Sequence, residues 1–172
     1  MRILITGPEC TGKSTLAKQL SKLYSIPLFP EYARTYLELQ GPAYGPDDLL
    51  SIAQQHHALV EVFPEDQSLI LDTYLLNLKI WSLDKYRQCD PWIIKQLDRA
   101  RVDLVLLCYP DLPWVQDGLR ENETQGLIIY EYFKKELEQL GWNFEIIQGQ
   151  GPARLAAANA ILSANEAIMK GN

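Results

Sequence analysis

The chain has 172 residues, of which 16 are lysine or arginine and 22 are aspartate or glutamate, giving a net charge of −6 at pH 7. With 47% hydrophobic and 22% charged residues, it resembles an ordinary soluble globular domain, and we expect one domain spanning residues 1–172 rather than a disordered chain. The acidic balance, without any run of Lys or Arg, argues against nucleic acid as a partner.

Strands and helices are predicted to alternate along the chain. In order, the sequence predicts strand Arg2–Thr6, helix Lys13–Tyr24, strand Pro27–Pro30, helix Tyr32–Gln40, helix Pro46–Phe63, strand Ser68–Asp72, helix Tyr74–Tyr86, helix Pro91–Ala100, strand Asp103–Tyr109, a polar loop over 111–122, helix Glu123–Leu140, strand Trp142–Ile147 and helix Gly151–Lys170. The strands are apolar runs without polar alternation, as in parallel strands buried on both faces. The pattern therefore predicts an α/β domain whose parallel sheet is covered by helices on both sides. Strand order does not follow from this pattern.

A phosphate-binding loop is predicted directly after the first strand. The segment GPECTGKS, residues 7–14, fits the pattern G-x-x-x-x-G-K-[ST] at every fixed position. Backbone N–H groups of such a loop converge on phosphate oxygens, and the following helix adds the positive end of its dipole. We expect Lys13 to reach the β- and γ-phosphates and Ser14 to bind magnesium. The predicted nucleotide-binding residues are Gly7, Pro8, Glu9, Cys10, Thr11, Gly12, Lys13, Ser14 and Thr15.

Two carboxylates follow the second and third predicted strands. Glu31 and Asp72 should share the ligand-binding edge of the sheet with the phosphate-binding loop, because ligands bind at the carboxyl ends of parallel strands. In phosphoryl transfer to a hydroxyl, one carboxylate can accept the proton and another can hold magnesium. The alternatives are a helix N-cap for Asp72 and a solvated acid in the first helical turn for Glu31.

The polar loop after the fourth strand is longer than most connections and is typical of a lid. Arg120 in it could stabilise charge on a transferred phosphoryl group or form a surface salt bridge. Trp114 could stack on a planar ring or anchor the loop. Arg34, one turn after Glu31, could face the same site or pair at the surface. We interpret His56 and His57 as ordinary helix residues, and the remaining tryptophans, Trp81, Trp92 and Trp142, as core or interface packing.

Cysteine usage and hydropathy bear on the compartment. Cys10, Cys89 and Cys108 are odd in number and form no CxxC pair, so neither a disulfide framework nor a zinc site is expected. No stretch approaches the ~18 apolar residues that span a bilayer, and the N-terminus lacks the features of a signal peptide. These features predict a cytoplasmic protein without a membrane partner.

Taken together, the motifs resemble the ribosylnicotinamide kinase domain of the bacterial NadR-type NAD-salvage proteins, and especially the stand-alone kinase-like ATPases of that family. The resemblance extends over nearly the whole chain and rests on the segments GPECTGKSTLAKQL, PEYARTYLE, LDTYLLNLKIW, CDPWI, LCYPDLPWVQDGLREN and GWNFEIIQG.

This resemblance implies a P-loop fold of the nucleoside and nucleotide kinase type, with a five-stranded parallel sheet of order 2-3-1-4-5. It also implies phosphorylation of the ribose 5′-hydroxyl of nicotinamide riboside, with ATP and Mg²⁺ as cofactors and a nucleoside-like small molecule as the substrate. Glu31 becomes the favoured base, and Asp72 becomes a magnesium or sugar contact. The lid is placed at about residues 111–123, and the loop over residues 148–151 is placed near the adenine. The residues implied to contact substrate are Glu31, Tyr32, Arg34, Asp72, Trp114 and Asp117, and the lid adds Gly118 and Arg120.

The chain departs from the family at one position and lacks the adenylyltransferase half of the multifunctional proteins. The family usually has a second acid where this chain has Tyr74. If that acid contacts ribose or metal, replacing Tyr74 by aspartate should increase activity on nicotinamide riboside. Two alternatives stay open: a kinase for another nucleoside or small metabolite, and a nucleotide-dependent ATPase switch. The preference for ATP over GTP and the oligomeric state are likewise open.

Overall fold

The computed structural model describes residues 1–41, 43–116 and 124–165. Its elements, in chain order, are β1 (Arg2–Thr6), α1 (Lys13–Tyr24), β2 (Leu28–Phe29), α2 (Tyr32–Gln40), α3 (Pro46–Glu61), β3 (Leu69–Asp72), α4 (Leu75–Tyr86), α5 (Pro91–Leu97), β4 (Leu104–Cys108), α6 (Gly126–Leu140), β5 (Phe144–Ile147) and α7 (Pro152–Ala164). Within these ranges, no helix is long and apolar enough to cross a membrane.

The five strands form one parallel sheet in the order β2-β3-β1-β4-β5, which confirms the fold class and the strand order implied by the resemblance. β1 is central, and its Ile5 is paired with Asp72 at the end of β3. The chain therefore leaves β1, β2 and β3 at neighbouring points on one edge. This order brings Glu31, Asp72 and the loop after β1 together.

Side chains of the strands alternate between two hydrophobic clusters, one on each face of the sheet. In β1, Ile3 and Ile5 face the cluster with α1 and α7, while Leu4 faces the cluster that includes α3, α4 and α6. These three side chains are fully buried, and such burial contributes about 1.5–3 kcal/mol each. Successive side chains along a strand point to opposite faces of the sheet. Because both faces are covered by apolar clusters, the strands appear in the sequence as continuous apolar runs.

Several element ends differ from the predicted ones. Helix α6 begins at Gly126 rather than Glu123, and α7 spans Pro152–Ala164, whereas its predicted end at Lys170 lies outside the described residues. Helix α5 stops at Leu97 instead of Ala100, and β2 has only two residues. Ends of this kind depend on local capping, which propensity and hydrophobic spacing do not specify.

Candidate functional site

The loop between β1 and α1 is shaped by two glycines with positive φ angles. Gly7 has φ of +133°, and a Cβ built there would lie 2.6 Å from the carbonyl oxygen of Cys108 in the neighbouring strand. Gly12 has φ of +73° and precedes the first residue of α1, so the N-terminal N–H groups of that helix open toward the loop. A side chain at either position would force the loop away from its anion-binding shape.

Polar side chains hold the loop in this shape. Lys13 Nζ donates to the carbonyl oxygen of Pro8 at 2.7 Å, and Thr11 Oγ1 donates to the same oxygen at 2.8 Å. Lys13 also lines the cleft, so its ammonium group is available at the place where phosphate oxygens would bind. The predicted loop residues 7–15 all line this cleft.

Asp72 lies beneath the start of α1 and has an unsatisfied oxygen. Its side chain is buried near the Ser14 hydroxyl, and its Oδ1 has no hydrogen-bond partner in the described part of the chain. Burial raises the pKa of Asp72, which the Ser14 hydrogen bond and Lys13 partly offset. An orphaned carboxylate oxygen beside a hydroxyl fits Mg²⁺, which takes one or two protein ligands and completes its shell with phosphates and water. No group of three or more His, Cys, Asp or Glu that could hold a metal occurs among the described residues.

Glu31 occupies the N-cap position of α2 without a side-chain capping hydrogen bond, and it lines the same cleft. Its side chain is 29% exposed, and Arg34 Nε lies 3.8 Å from its Oε2. Burial raises the pKa of Glu31 because the surrounding atoms disfavour the charged form, while Lys13 acts in the opposite direction and Asp72 raises it further. A carboxylate that faces a phosphate site with a raised pKa has the properties of a general base. Arg34 lines the cleft as well as pairing with Glu31, so both predicted roles of Arg34 occur together.

The far part of the cleft is built from helix faces that the sequence analysis did not identify. These walls come from α2, α4 and α6, and the lining residues are Ala33, Leu37, Asn77, Ile80, Trp81, Asp84, Ile129 and Phe133. On α4, four of them recur at spacings of three and four residues, which places them on one side of the helix. Trp81 packs against the hydrophobic core, as predicted, and it also borders the cleft, which was not predicted. The α4 spacing, one turn after Asp72, was a signal available in the sequence.

Two predicted substrate contacts lie elsewhere. The Tyr32 hydroxyl donates to Gln55 on α3, and its ring lies 6.2 Å from that of His56, so Tyr32 packs on α3 instead of lining the cleft. Trp114 does not line the cleft, and its Nε1 is buried without a hydrogen-bond partner among the described residues. Asp117, Gly118 and Arg120 lie outside the described residues.

A buried arginine joins the loops on the other side of the phosphate-binding loop. Arg154, at the start of α7, is 4% exposed and pairs with Asp111. It also donates to the carbonyl oxygens of Tyr109, Ile147 and Gly149. Asp111 in turn accepts from the Gly149 N–H at 2.7 Å. Arg154 therefore fixes the segment after β4 against the loop after β5, and the sequence analysis missed it inside an Ala-rich helix.

Tyr74 enters the hydrophobic core and does not line the cleft. It is 2% exposed, its hydroxyl lies 2.6 Å from Nδ1 of His57, and its ring meets that of His56 edge-on at 5.4 Å. Thr73, with φ of +67°, turns the chain between Asp72 and Tyr74, so the two side chains lie on different sides. Burial lowers the pKa of His56 to about 4, which keeps this core histidine neutral at pH 7. An acid at position 74 would lie among these core residues and outside the cleft.

Replacing Tyr74 by aspartate should therefore destabilise the protein and should not increase activity, contrary to the sequence-based expectation. The change removes a buried ring and places a carboxyl group in the core, so the free energy of unfolding should fall by more than ~3 kcal/mol. Tyr74→Phe is the matched control, because it keeps the ring and loses only one hydrogen bond, worth about 1 kcal/mol. Urea denaturation followed by circular dichroism measures both. An aspartate variant as stable as wild type would contradict the placement of this side chain.

Sequence comparisons place the chain among proteins of known type. A family model described as an AAA domain matches residues 2–154. The trifunctional NAD biosynthesis/regulator protein NadR of Escherichia coli is 29% identical over 140 residues, which cover 74% of this chain and 34% of that protein. The Salmonella typhimurium protein of the same name is 27% identical over 124 residues, covering 69% of this chain and 30% of that one. The chain thus spans about a third of the length of these curated relatives.

Solved structures show the same fold. A NadR protein in complex with NAD and AMP-PNP superposes with a TM-score of 0.76 at 21% identity, over 94% of this chain and 48% of that one. A deoxyadenosine kinase from M. mycoides superposes with a TM-score of 0.68 at 14% identity, over 95% of this chain and 99% of that one. At these sequence identities, both structures show a shared arrangement of the sheet and helices only.

Proposed function

The chain belongs to the AAA domain family and is a NadR-like P-loop kinase domain, and from this premise we propose that it phosphorylates the ribose 5′-hydroxyl of nicotinamide riboside with ATP. The product is nicotinamide mononucleotide. The observation that carries the proposal is one continuous cleft in which a phosphate-binding loop, a carboxylate and an aromatic-lined pocket follow one another. A nucleoside kinase needs these three parts in this order, because the acceptor hydroxyl must lie between its base and the γ-phosphate.

Different residues of the cleft bind the phosphates and accept the proton in the proposed reaction. The loop N–H groups and Lys13 bind the phosphates and follow the charge that develops on the transferred group. A bond forms between the 5′-oxygen and the γ-phosphorus, the bond from that phosphorus to the bridging oxygen breaks, and ADP leaves. Glu31 receives the hydroxyl proton as transfer proceeds. The raised pKa of Glu31 favours this role over that of a permanently charged surface acid.

Ser14 and Asp72 are the residues proposed to hold Mg²⁺. Ser14 is close enough to Asp72 to lower the pKa of its carboxyl group, and the Oδ1 of Asp72 is buried without a hydrogen-bond partner among the described residues. When bound, the ion would neutralise charge on the β- and γ-phosphates. Glu31 lines the open cleft and Asp72 does not, which favours Glu31 as the residue that receives the proton of the acceptor hydroxyl.

A lid at about residues 111–123 and an adenine contact from residues 148–151 remain part of the proposal. Two observations support them. The Cys10 thiol accepts from the Val115 N–H at 3.2 Å and donates to the Val115 carbonyl oxygen at 3.4 Å, so the first part of this segment rests on the phosphate-binding loop. Arg154 and Asp111 fix its stem to the loop over residues 148–151. We further propose that Asp117 contacts the substrate and Arg120 the phosphoryl group, both of which lie outside the described residues, and that the protein is cytoplasmic, which its unpaired cysteines support.

An acceptor screen tests the proposal. The chain is mixed with Mg²⁺ and a non-hydrolysable ATP analogue, and the melting temperature is measured with nicotinamide riboside and with common ribonucleosides and deoxyribonucleosides. We expect nicotinamide riboside to give the largest stabilisation, since at equal concentration the ligand that binds the folded state most tightly raises the melting temperature most. A larger shift with another nucleoside would support a kinase, but one whose acceptor is that nucleoside. If no nucleoside shifts the melting temperature and ATP alone is hydrolysed steadily, the kinase proposal is wrong and an ATPase switch is the better interpretation.

A further inference from the structure

Side chains on one face of α4 extend along the cleft from the phosphate site to its far end. Asn77, Ile80, Trp81 and Asp84 line the cleft from this helix. Asn77 marks the phosphate end, because its Oδ1 accepts a hydrogen bond at 2.7 Å from Thr6, the residue before Gly7. At a rise of 1.5 Å per residue, Asp84 lies ~10 Å farther along the helix axis. That spacing is close to the distance from the 5′-oxygen of a nucleoside to the outer edge of its base.

Apolar and aromatic side chains line the space between these two ends. Leu37 on α2 and Phe133 on α6 border the cleft together with Trp81. The indole of Trp81 is held in place, because its Nε1 donates to the Tyr44 hydroxyl at 3.0 Å and the two rings meet edge-on at 5.1 Å. A fixed aromatic side chain in an apolar wall suits a flat ring, which gains contact area without ordering new groups.

Asp84 provides the negative charge at the end of this space. Its side chain is half-buried, and within residues 1–41, 43–116 and 124–165 its carboxylate has no hydrogen-bond or salt-bridge partner. It also borders a second, neighbouring groove that contains Arg87 and Lys135. Arg34, the arginine that lines the cleft itself, is placed toward the phosphate end by its contact with Glu31.

Resting on the kinase function proposed above, we propose that Asp84 and Trp81 form a subsite that selects a nucleoside with a positively charged planar base. An aromatic face and a carboxylate both attract a cationic ring, the first through its quadrupole and the second through its charge. A neutral base gains only the stacking contact. The subsite thus distinguishes a pyridinium nucleoside from neutral nucleosides of the same size.

Oxidised and reduced nicotinamide riboside make a matched pair for the test. Both carry the same ribose and carboxamide, but the oxidised ring is a cation and the dihydro ring is neutral. Their dissociation constants are measured by calorimetry with the non-hydrolysable ATP analogue and Mg²⁺ present, for wild type, Asp84→Asn and Asp66→Asn. Asp66 is exposed in the loop between α3 and β3, at the opposite edge of the sheet, and its substitution changes the net charge equally.

The Asp84→Asn variant should bind the oxidised form roughly tenfold more weakly and the reduced form within about twofold of wild type, because one partly exposed ionic contact is lost. The Asp66→Asn variant should match wild type for both. If Asp84→Asn weakens the binding of both forms equally, or of neither, the proposed subsite is wrong. In that case, phosphorylation of nicotinamide riboside by the wild-type protein would still support the kinase function. If wild type binds neither form, the acceptor and the subsite are both wrong.

Discussion

Substituting Lys13 by alanine should abolish phosphoryl transfer and leave the fold intact. The Lys13 ammonium group lines the cleft at the phosphate-binding loop, where it is placed to accompany the charge that moves onto the transferred group. Loss of one such preorganised donor costs about 10²–10³-fold in kcat, and loss of a full charge should cost at least that. Among the described residues, Lys13 Nζ donates a hydrogen bond only to the Pro8 carbonyl oxygen, so stability should change little.

Lys22→Ala is the matched control for this change. Lys22 lies in the last turn of the same helix and is exposed, so its substitution removes the same charge away from the loop. Initial rates of ADP formation, with nicotinamide riboside as acceptor, and thermal melting curves separate activity from folding. A well-folded Lys13→Ala protein that turns over at the wild-type rate would refute the assignment of residues 7–15 as the nucleotide site.

Glu31→Gln should reduce kcat by about 10²–10⁴-fold while ATP affinity stays near the wild-type value. Glutamine keeps the size of the side chain but cannot take the proton of the acceptor hydroxyl. A loose transition state transfers that proton late, which places the effect toward the lower end of this range. Glu38→Gln, on the exposed side of the same helix, is the control and should behave as wild type.

Asp72→Asn gives a contrasting result that distinguishes the two carboxylates. Because Asp72 and Ser14 are proposed to hold Mg²⁺, the variant should need a higher Mg²⁺ concentration for half-maximal activity, whereas Glu31→Gln should not. Magnesium titrations at saturating ATP and acceptor measure the difference. If Glu31→Gln keeps full kcat and Asp72→Asn abolishes it without a change in Mg²⁺ dependence, the roles of the two residues are reversed.

The pH dependence of kcat follows from the same carboxylate. A base works only when deprotonated, so kcat should fall as the pH drops through the pKa of Glu31 in the complex. Burial raises that pKa above its ordinary value of 4.5, so the acid limb of the profile should lie at higher pH than for an exposed glutamate. Glu31→Gln should remove this limb from its residual activity. An acid limb that persists unchanged in the variant would assign the titration to another group.

The parts of the site that lie close together in sequence could be predicted from it. The loop over residues 7–14 is specified by adjacent residues, since glycines with positive φ, the lysine and the helix start all occur within one motif. Glu31 and Asp72 could be placed because strand ends in a parallel sheet share one edge. The strand order that makes them neighbours came from resemblance, because apolar strands carry no signal of which strand lies beside which.

The acceptor end of the cleft could not be predicted in the same way. Leu37, Trp81 and Phe133 come from three helices, and only packing of these helices on the sheet brings them together. An aromatic residue on a helix looks the same in sequence whether it faces a core or a cleft. Tyr32 directly follows Glu31 and was expected to contact the substrate. Neighbouring helical residues point in different directions, and Tyr32 contacts α3.

Product analysis tests the central claim most directly. The chain is incubated with ATP, Mg²⁺ and nicotinamide riboside, and the products are identified by phosphorus NMR and mass spectrometry. The account predicts one 5′-phosphomonoester, nicotinamide mononucleotide, for each ADP formed, with negligible ADP when the nucleoside is omitted. ADP and inorganic phosphate formed at the same rate with and without the nucleoside, and no phosphomonoester, would contradict it.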